Sequence, residues 1–348
     1  KEDIRMELYI QLIRPILPYI TGVDTLYIAP DYSLTNLPFE ILYDEEQKTL
    51  EETFHVIKIE CARDFLYKKA GTSSVEGSLI IGNPQYELSE RDFEKYRETD
   101  SEQNRMFEMD FDSIKQLPFS QIEVQRVGKY CKSVCYTGYE ASKNLLSSLK
   151  GYRSIHIATH GYFDLSKQAM PMYASCLLFA GVRNWAKEGY ISNRFGNGMM
   201  TADEVSRLDM TSVELVVLSS CLSGMNDVSL NKGFRGMIGA LSAAGAKYVV
   251  SHLWAADDFA TTILMDAFYY QYMEKKQSPP VALNFARNYL KNVTIGELKR
   301  RQWFTYMKKS TVDTEAIKII EKYENYNERM RPFKSEAYWG GFVCYQCN

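Results

Sequence analysis

The sequence predicts an α/β fold: a mainly parallel sheet flanked by helices, with a smaller helix-and-strand segment ahead of it. Three observations carry that prediction. Short apolar runs of strand length recur at residues 78–82, 133–136, 154–158, 175–179 and 248–253. Helical patterns separate several of them, the alternation that builds parallel βαβ units. Two runs also stop abruptly on chemically capable residues, Glu214-Leu-Val-Val-Leu-Ser-Ser-Cys-Leu-Ser-Gly224 on Cys221 and Ser154-Ile-His-Ile-Ala-Thr-His-Gly161 on His160.

Composition sets the outer bounds. With 348 residues, 45% hydrophobic and 24% charged, the chain has enough apolar side chains for one large core or two smaller ones. The net charge is −3 and the basic residues are scattered, which argues against direct nucleic-acid binding. The 25 tyrosines have no basic groove beside them that would make a stacking platform for single strands. No apolar run of roughly 18 residues and no secretory signal pattern occurs, so membrane attachment is not expected and a cytoplasmic location is. Seven cysteines without framework spacing fit a reducing compartment and permit a free catalytic thiol. Because the chain starts on Lys1 and enters directly into a helical pattern, it is expected to be the carboxyl-terminal part of a longer protein.

Residues 3–19 place Ile4, Leu8, Leu12, Ile13 and Ile16 at helical spacing, and Pro15 and Pro18 close the segment. Strands are expected at 25–29 and 54–60, with a compact turn at Leu37-Pro-Phe-Glu-Ile-Leu42 between them. These make a lead-in subdomain over residues 1–75. The Gly71-Thr-Ser-Ser-Val-Glu-Gly77 linker then introduces a new sheet at residue 78, in a second domain spanning 76–348. Residues 86–115 are densely charged and poor in aliphatic side chains, the composition of a solvated insertion.

Beyond it follow a helix at 120–130, a strand at 133–136, a helix at 141–149 and the strand ending before His160. Residues 181–198 and 225–232 read as loops bordering the chemistry. Thr201-Ala-Asp-Glu204 has capping-box spacing and opens a helix. Small residues at Gly236, Gly239, Ala240, Ala243 and Ala244 let a helix over 233–244 approach the sheet closely. Helices at 257–272 and 281–290, a partly helical charged stretch and a final strand at 339–345 complete the chain.

Parallel sheets gather binding groups beyond the carboxyl ends of their strands, where both Cys221 and His160 would stand. His156, His55 and His252 lie within strands and read as structural. A thiol with a pKa of about 8.5 is mostly protonated near neutrality, so a neighbouring histidine would activate it and later protonate the leaving amine. The backbone N–H groups of Gly161 and Cys221 suit an oxyanion, and the glycine after His160 admits a substrate carbonyl closely. Two cysteine pairs, Cys131/Cys135 and Cys344/Cys347, sit at a helix–strand junction and at the terminus, which does not favour a zinc site. No metal or organic cofactor is expected.

The runs Ala158-Thr-His-Gly-Tyr-Phe-Asp164, Leu215-Val-Val-Leu-Ser-Ser-Cys-Leu-Ser-Gly224, Gly245-Ala-Lys-Tyr-Val-Val-Ser-His-Leu-Trp-Ala-Ala-Asp-Asp-Phe-Ala-Thr261 and Tyr338-Trp-Gly-Gly-Phe342 together resemble the CHAT family. These are caspase-like, separase-related cysteine peptidases, often attached to tetratricopeptide repeats. The resemblance extends from Leu37 to Val343. It implies a caspase-like sheet, His160 as general base and Cys221 as nucleophile, with the Gly161 and Cys221 amides as oxyanion donors. It also implies that Asp258, or alternatively Asp257, lines a pocket for a basic residue just before the scissile bond. An aspartate there would equally cap the helix that begins at this point. Leu222 and Ser223 follow the cysteine where many members carry an acidic residue or threonine.

The expected activity is therefore that of a cysteine endopeptidase cleaving a partner protein, regulated by an attached repeat domain or a larger complex. The alternative is a catalytically silent or gated interaction module of a larger assembly. A small-molecule thiol hydrolase or acyltransferase is a third reading.

Overall fold

The structure, a computed structural model, describes residues 3–62, 76–92, 111, 114–163, 171–188, 194–219, 222–223 and 227–347. Its centre is an eight-stranded sheet in the order β1 (Thr25–Ile28), β2 (His55–Ile59), β12 (Phe342–Gln346), β11 (Tyr248–His252), β9 (Leu215–Leu218), β5 (Tyr152–Ala158), β3 (Gly77–Pro84), β4 (Cys135–Gly138). All pairings are parallel except β11 with β12. A four-stranded sheet, β10 (Leu222–Ser223), β6 (Gly161–Phe163), β7 (Ser175–Leu178) and β8 (Met199–Thr201), stands beyond the carboxyl ends of β5 and β9. The α/β, caspase-like architecture read from the sequence is the observed one.

The short apolar runs are strands buried on both faces, which is why they are continuous rather than alternating. Ile80, Leu215, Val217 and Val250 pack to one side. They meet α1 (Pro118–Cys131), α3 (Asp258–Tyr269) and α4 (Pro279–Asn292) through Ile122, Ile263 and Leu283, among others. Leu79, Ile81, Ile157, Val216 and Leu218 pack to the other side, against Met237, Ile238 and Leu241 of α2 (Asp227–Ala244). Each such side chain contributes about 1.5–3 kcal/mol by leaving water, so the two clusters fix the strand register firmly.

α1 starts on Pro118, whose missing N–H costs nothing in the first turn, and ends on Lys132 in the left-handed region. It lies so close to β3 that a Cβ on Gly82 would come within 2.5 Å of Val124 Cγ1. Glycine at that position brings the helix, and Glu123 with it, down onto the sheet.

Several expectations are corrected. No new sheet begins at residue 78: β1 and β2 extend the same sheet, because β2 pairs with β12 from the far end of the chain (Tyr345↔Lys58, Gln346↔Ile59). Local periodicity carries no trace of so distant a partner. The expected helix at 141–149 is a short 3-10 segment, Lys143–Ser147, held by Ser142, whose hydroxyl accepts from Asn144 N–H and donates to the Arg194 carbonyl. The charged stretch 86–115 is not solvated at its ends, since Tyr86, Leu88 and Ile114 are buried; its centre, 93–110, lies outside the described residues. Both expected loops contain helix, Val182–Glu188 in the first and the start of α2 at Asp227 in the second. Residues 189–193 and 224–226 lie outside the description. The 201–204 capping box is formed by Thr201 and Glu204, as its spacing predicts.

The seam between the amino-terminal segment and α4 holds buried charge. Arg287 donates from Nε to Glu51 Oε2 at 2.7 Å and from Nη1 to the Phe342 carbonyl at 2.6 Å, with Glu40 Oε1 at 3.7 Å. Lys58 donates to the Thr35 carbonyl at 3.0 Å. Among the described residues no helix is long and apolar enough to cross a membrane.

Candidate active site

β5 and β9 are adjacent and parallel, with Ile157 in register with Leu218. From both, the chain passes at once into the smaller sheet, where Gly161 is in register with Leu222. Thr159 and His160 are the two residues between β5 and β6. Ser220 and Cys221 lie outside the described residues; Ser219 and Leu222 on either side are described, and Ser219 N–H donates to the Ile157 carbonyl at 2.9 Å. Of the two expected oxyanion amides, that of Gly161 belongs to β6, in register with Leu222 on one side and Leu177 on the other. The other belongs to Cys221.

The imidazole of His160 is oriented by a backbone carbonyl. Its Nε2 is 2.8 Å from the Lys115 oxygen, and since a carbonyl only accepts, Nε2 carries the hydrogen and Nδ1 the lone pair. That Nδ1 is buried and has no hydrogen-bond partner among the described residues. Burial lowers the His160 pKa, and the Lys115 carbonyl offsets this only in part. At neutral pH the ring is a neutral base whose lone pair is uncommitted among the described residues.

A chain of hydrogen bonds with one allowed polarity holds the backbone at this point. The Thr159 hydroxyl donates to the Leu178 carbonyl, so its oxygen must accept from Tyr86 O–H, at 3.0 Å. The Tyr86 oxygen in turn accepts the His160 backbone N–H at 3.1 Å, and Leu178 N–H donates to the His160 carbonyl at 2.9 Å. Tyr86 is only 1% exposed, its ring centre is 5.4 Å from that of His160, and burial raises its pKa far above the usual phenol range. It works as a neutral hydrogen-bond relay.

The two aspartates after Leu253-Trp254 part company. Asp257 caps α3, its carboxylate accepting Ala260 N–H at 2.8 Å. Asp258 lines a cavity of about 20 Å³ with Glu123, Thr159, Ser219, His252 and Thr261. Its pKa is pushed up to about 7, first by burial, then by the neighbouring Glu123 and Asp257 carboxylates. His156 is buried as expected, with Nε2 3.0 Å from Glu123 Oε1 and Nδ1 3.1 Å from the Tyr269 hydroxyl. His252, read as structural, forms part of the cavity wall.

Sequence reasoning missed Tyr86, the Lys115 carbonyl and Glu123. Tyr86 lies two residues past the end of β3, on the same sheet edge as His160, and that position was its one available signal. Glu123 looks like any helix carboxylate until Gly82 draws its helix inward. Among the described residues no three His, Cys, Asp or Glu side chains gather so as to hold a metal ion.

No curated protein matches the chain. The family model described as the CHAT domain matches residues 3–346, nearly the whole sequence. Because that match runs over nearly the whole of a chain whose central sheet is caspase-like, the chain belongs to the CHAT-domain family of caspase-like peptidases.

Proposed function

We propose that this chain is a cysteine endopeptidase that cleaves a partner protein, with Cys221 as nucleophile and His160 as base. The observation that carries the reading is the state of His160: a neutral, half-buried ring whose Nε2 is committed to Lys115 and whose Nδ1 is left to accept a proton. The backbone register supports it, since the residue following His160 pairs with the residue following Cys221.

In the proposed reaction Nδ1 takes the thiol proton as sulfur attacks the scissile carbonyl, and the oxyanion is received by the Gly161 and Cys221 amides. The same nitrogen returns the proton to the leaving amine, which departs with its peptide. Water then attacks the thioester, giving its proton to Nδ1 and its oxygen to the acyl group, and the thiol reforms. Asp258 is assigned to the pocket for a basic residue before the cut, while Asp257 serves the helix. A repeat domain or larger assembly would regulate access.

Alkylation of Cys221 by iodoacetamide tests the pair without a known substrate. The wild-type rate should exceed that of a reference thiol at pH 7 and fall as pH drops through the lowered His160 pKa. His160→Ala should reduce it at least about tenfold, because the thiol then titrates near 8.5. Equal rates in the two proteins would end the proposal, as would cleavage by Cys221→Ala of any protein the wild type cuts.

A further inference from the structure

A larger cavity lies at the edge of the sheet opposite His160. We infer that it is a binding site for a small zwitterion, a free amino acid or dipeptide, held between the Arg153–Glu214 pair and the Tyr272 hydroxyl. The site is separate from the peptidase reading above and does not depend on it.

The strands place it. Ser78 and Ser154, near the starts of β3 and β5, are in register, and Ser154 is in register with Leu215, the first residue of β9. Both serines and Glu214 line the cavity, together with Tyr130 and Cys131 at the end of α1 and with the π-helical stretch Tyr270–Glu274 that continues α3. Such π-helical stretches interrupt the regular bonding ladder and recur at functional sites. From Ser154 to His160 the chain rises about 20 Å, so this lining is not shared with the candidate active site. The volume, about 520 Å³, lies within the range of about 300–1,000 Å³ typical of small-molecule sites.

The wall of this cavity carries a buried polar group that nothing else uses. Tyr272 is 6% exposed, and its hydroxyl has no hydrogen-bond partner among the described residues. An unpaired buried hydroxyl is costly, and a ligand atom in the cavity recovers that cost. Burial, and after it the Glu214 carboxylate, raises the Tyr272 pKa above the usual phenol range, so the group keeps its proton and can donate it in a hydrogen bond. Burial also pushes the Cys131 thiol up to about 11, which makes that part of the wall a surface for binding rather than for thiol chemistry.

Charge selects the ligand class. Arg153 donates to one oxygen of Glu214, Oε2, from Nε at 2.6 Å and from Nη2 at 2.5 Å. Arg153 Nη1 and Glu214 Oε1 are left without a partner among the described residues, a donor and an acceptor side by side. A carboxylate fits the first together with the Tyr272 O–H, and an ammonium fits the second. At the exposed mouth stand Glu76 and Glu274, Lys132 and Lys276, and none of the four has an ion pair among the described residues. Neither sign prevails, so a phosphate or a simple cation is attracted by one half of the lining and repelled by the other. A ligand carrying both charges uses the whole of it.

Saturation-transfer NMR on the full chain tests this, with the free amino acids and glycyl dipeptides added one at a time at millimolar concentration. At least one should bind, and its N-acetyl and carboxamide forms, each lacking one of the two charges, should bind at least tenfold more weakly. Arg153→Gln should weaken the zwitterion by a similar factor. Tyr272→Phe keeps the ring and removes only the unpaired hydroxyl, so its urea midpoint should equal or exceed that of the wild type while binding weakens at least threefold. No binding by any amino acid or dipeptide overturns the site, as does equal binding of the singly charged forms. A Tyr272→Phe protein that binds as well as the wild type, or whose urea midpoint falls, overturns it too, because the hydroxyl is then either idle or already partnered. Neither His160 nor Cys221 enters these measurements, so the failure of this site and the failure of the peptidase reading are seen separately.

Discussion

Two places in this molecule bury a pair of carboxylates, and they differ in where the positive charge comes from. At the seam below β2, Glu40 and Glu51 face Arg287 and Lys58, two acids against two bases from the same chain. At the sheet edge, Glu123 and Asp258 share a small cavity with His252, and among its described lining there is no lysine or arginine. Burial raises the pKa of Glu51 too, but the Arg287 charge beside it works in the opposite direction. Among the described residues lining its cavity Asp258 has no such partner, and its pKa is pushed up to about 7. Charge buried with its counter-charge is framework, whereas charge buried without it either stays neutral or waits for a ligand.

The seam should break first and hardest. Replacing Arg287 by Met removes the guanidinium from Glu51 and Glu40 and takes a donor from the Phe342 carbonyl. A buried pair broken on one side typically loses about 3–5 kcal/mol, and urea unfolding at pH 7 should record a loss of that size. The same protein should recover part of it at pH 5, because burial already raises the pKa of Glu51 and the loss of Arg287 removes the charge that opposes that rise. A loss below about 1 kcal/mol would mean the seam is held by packing alone.

Asp258→Asn should move stability the other way. The folded pKa of Asp258, about 7, is raised above the unfolded value near 4, so the folded state holds the proton longer. Its contribution is full below about pH 4 and is lost as pH rises through 7. Asparagine removes that loss, and the variant should be more stable than wild type at pH 8 by about 2–4 kcal/mol, with little difference at pH 4. Parallel pH profiles for the two proteins would show that another group titrates there.

The same contrast explains what could be read from the sequence. Residues 215–218 and 154–158 announce themselves because strands buried on both faces must be apolar throughout, and His160 is conspicuous because the apolar run stops at it. Leu253-Trp254-Ala-Ala-Asp-Asp258 draws attention to both aspartates, but nothing in the spacing tells which one accepts Ala260 N–H and which lines the cavity. Glu123 and Tyr86 were illegible for a different reason. Each acts across a gap of more than thirty residues, Glu123 on His156 and Tyr86 on Thr159 and His160, and charge-rich surroundings made Tyr86 look solvated. The pairing of β2 with β12 is an extreme case, joining the two ends of the chain.

The smallest expected effect lies between the two regions, at Tyr86. Replacing it by Phe keeps the ring against His160 and removes one oxygen. Thr159 keeps its bond to the Leu178 carbonyl, so the group left without a partner is the His160 backbone N–H, which would cost about 1–3 kcal/mol. Stability alone cannot say whether the relay matters to the proposed base, because any buried hydroxyl would register there. The alkylation rate of Cys221 against pH can. If Tyr86 positions His160, the Phe variant should lower the rate two- to tenfold at pH 7, while thiolate-limited alkylation near pH 10 stays unchanged. A stability loss with an unaltered rate profile would make Tyr86 a strut of the strand end and leave the orientation of His160 to the Lys115 carbonyl alone.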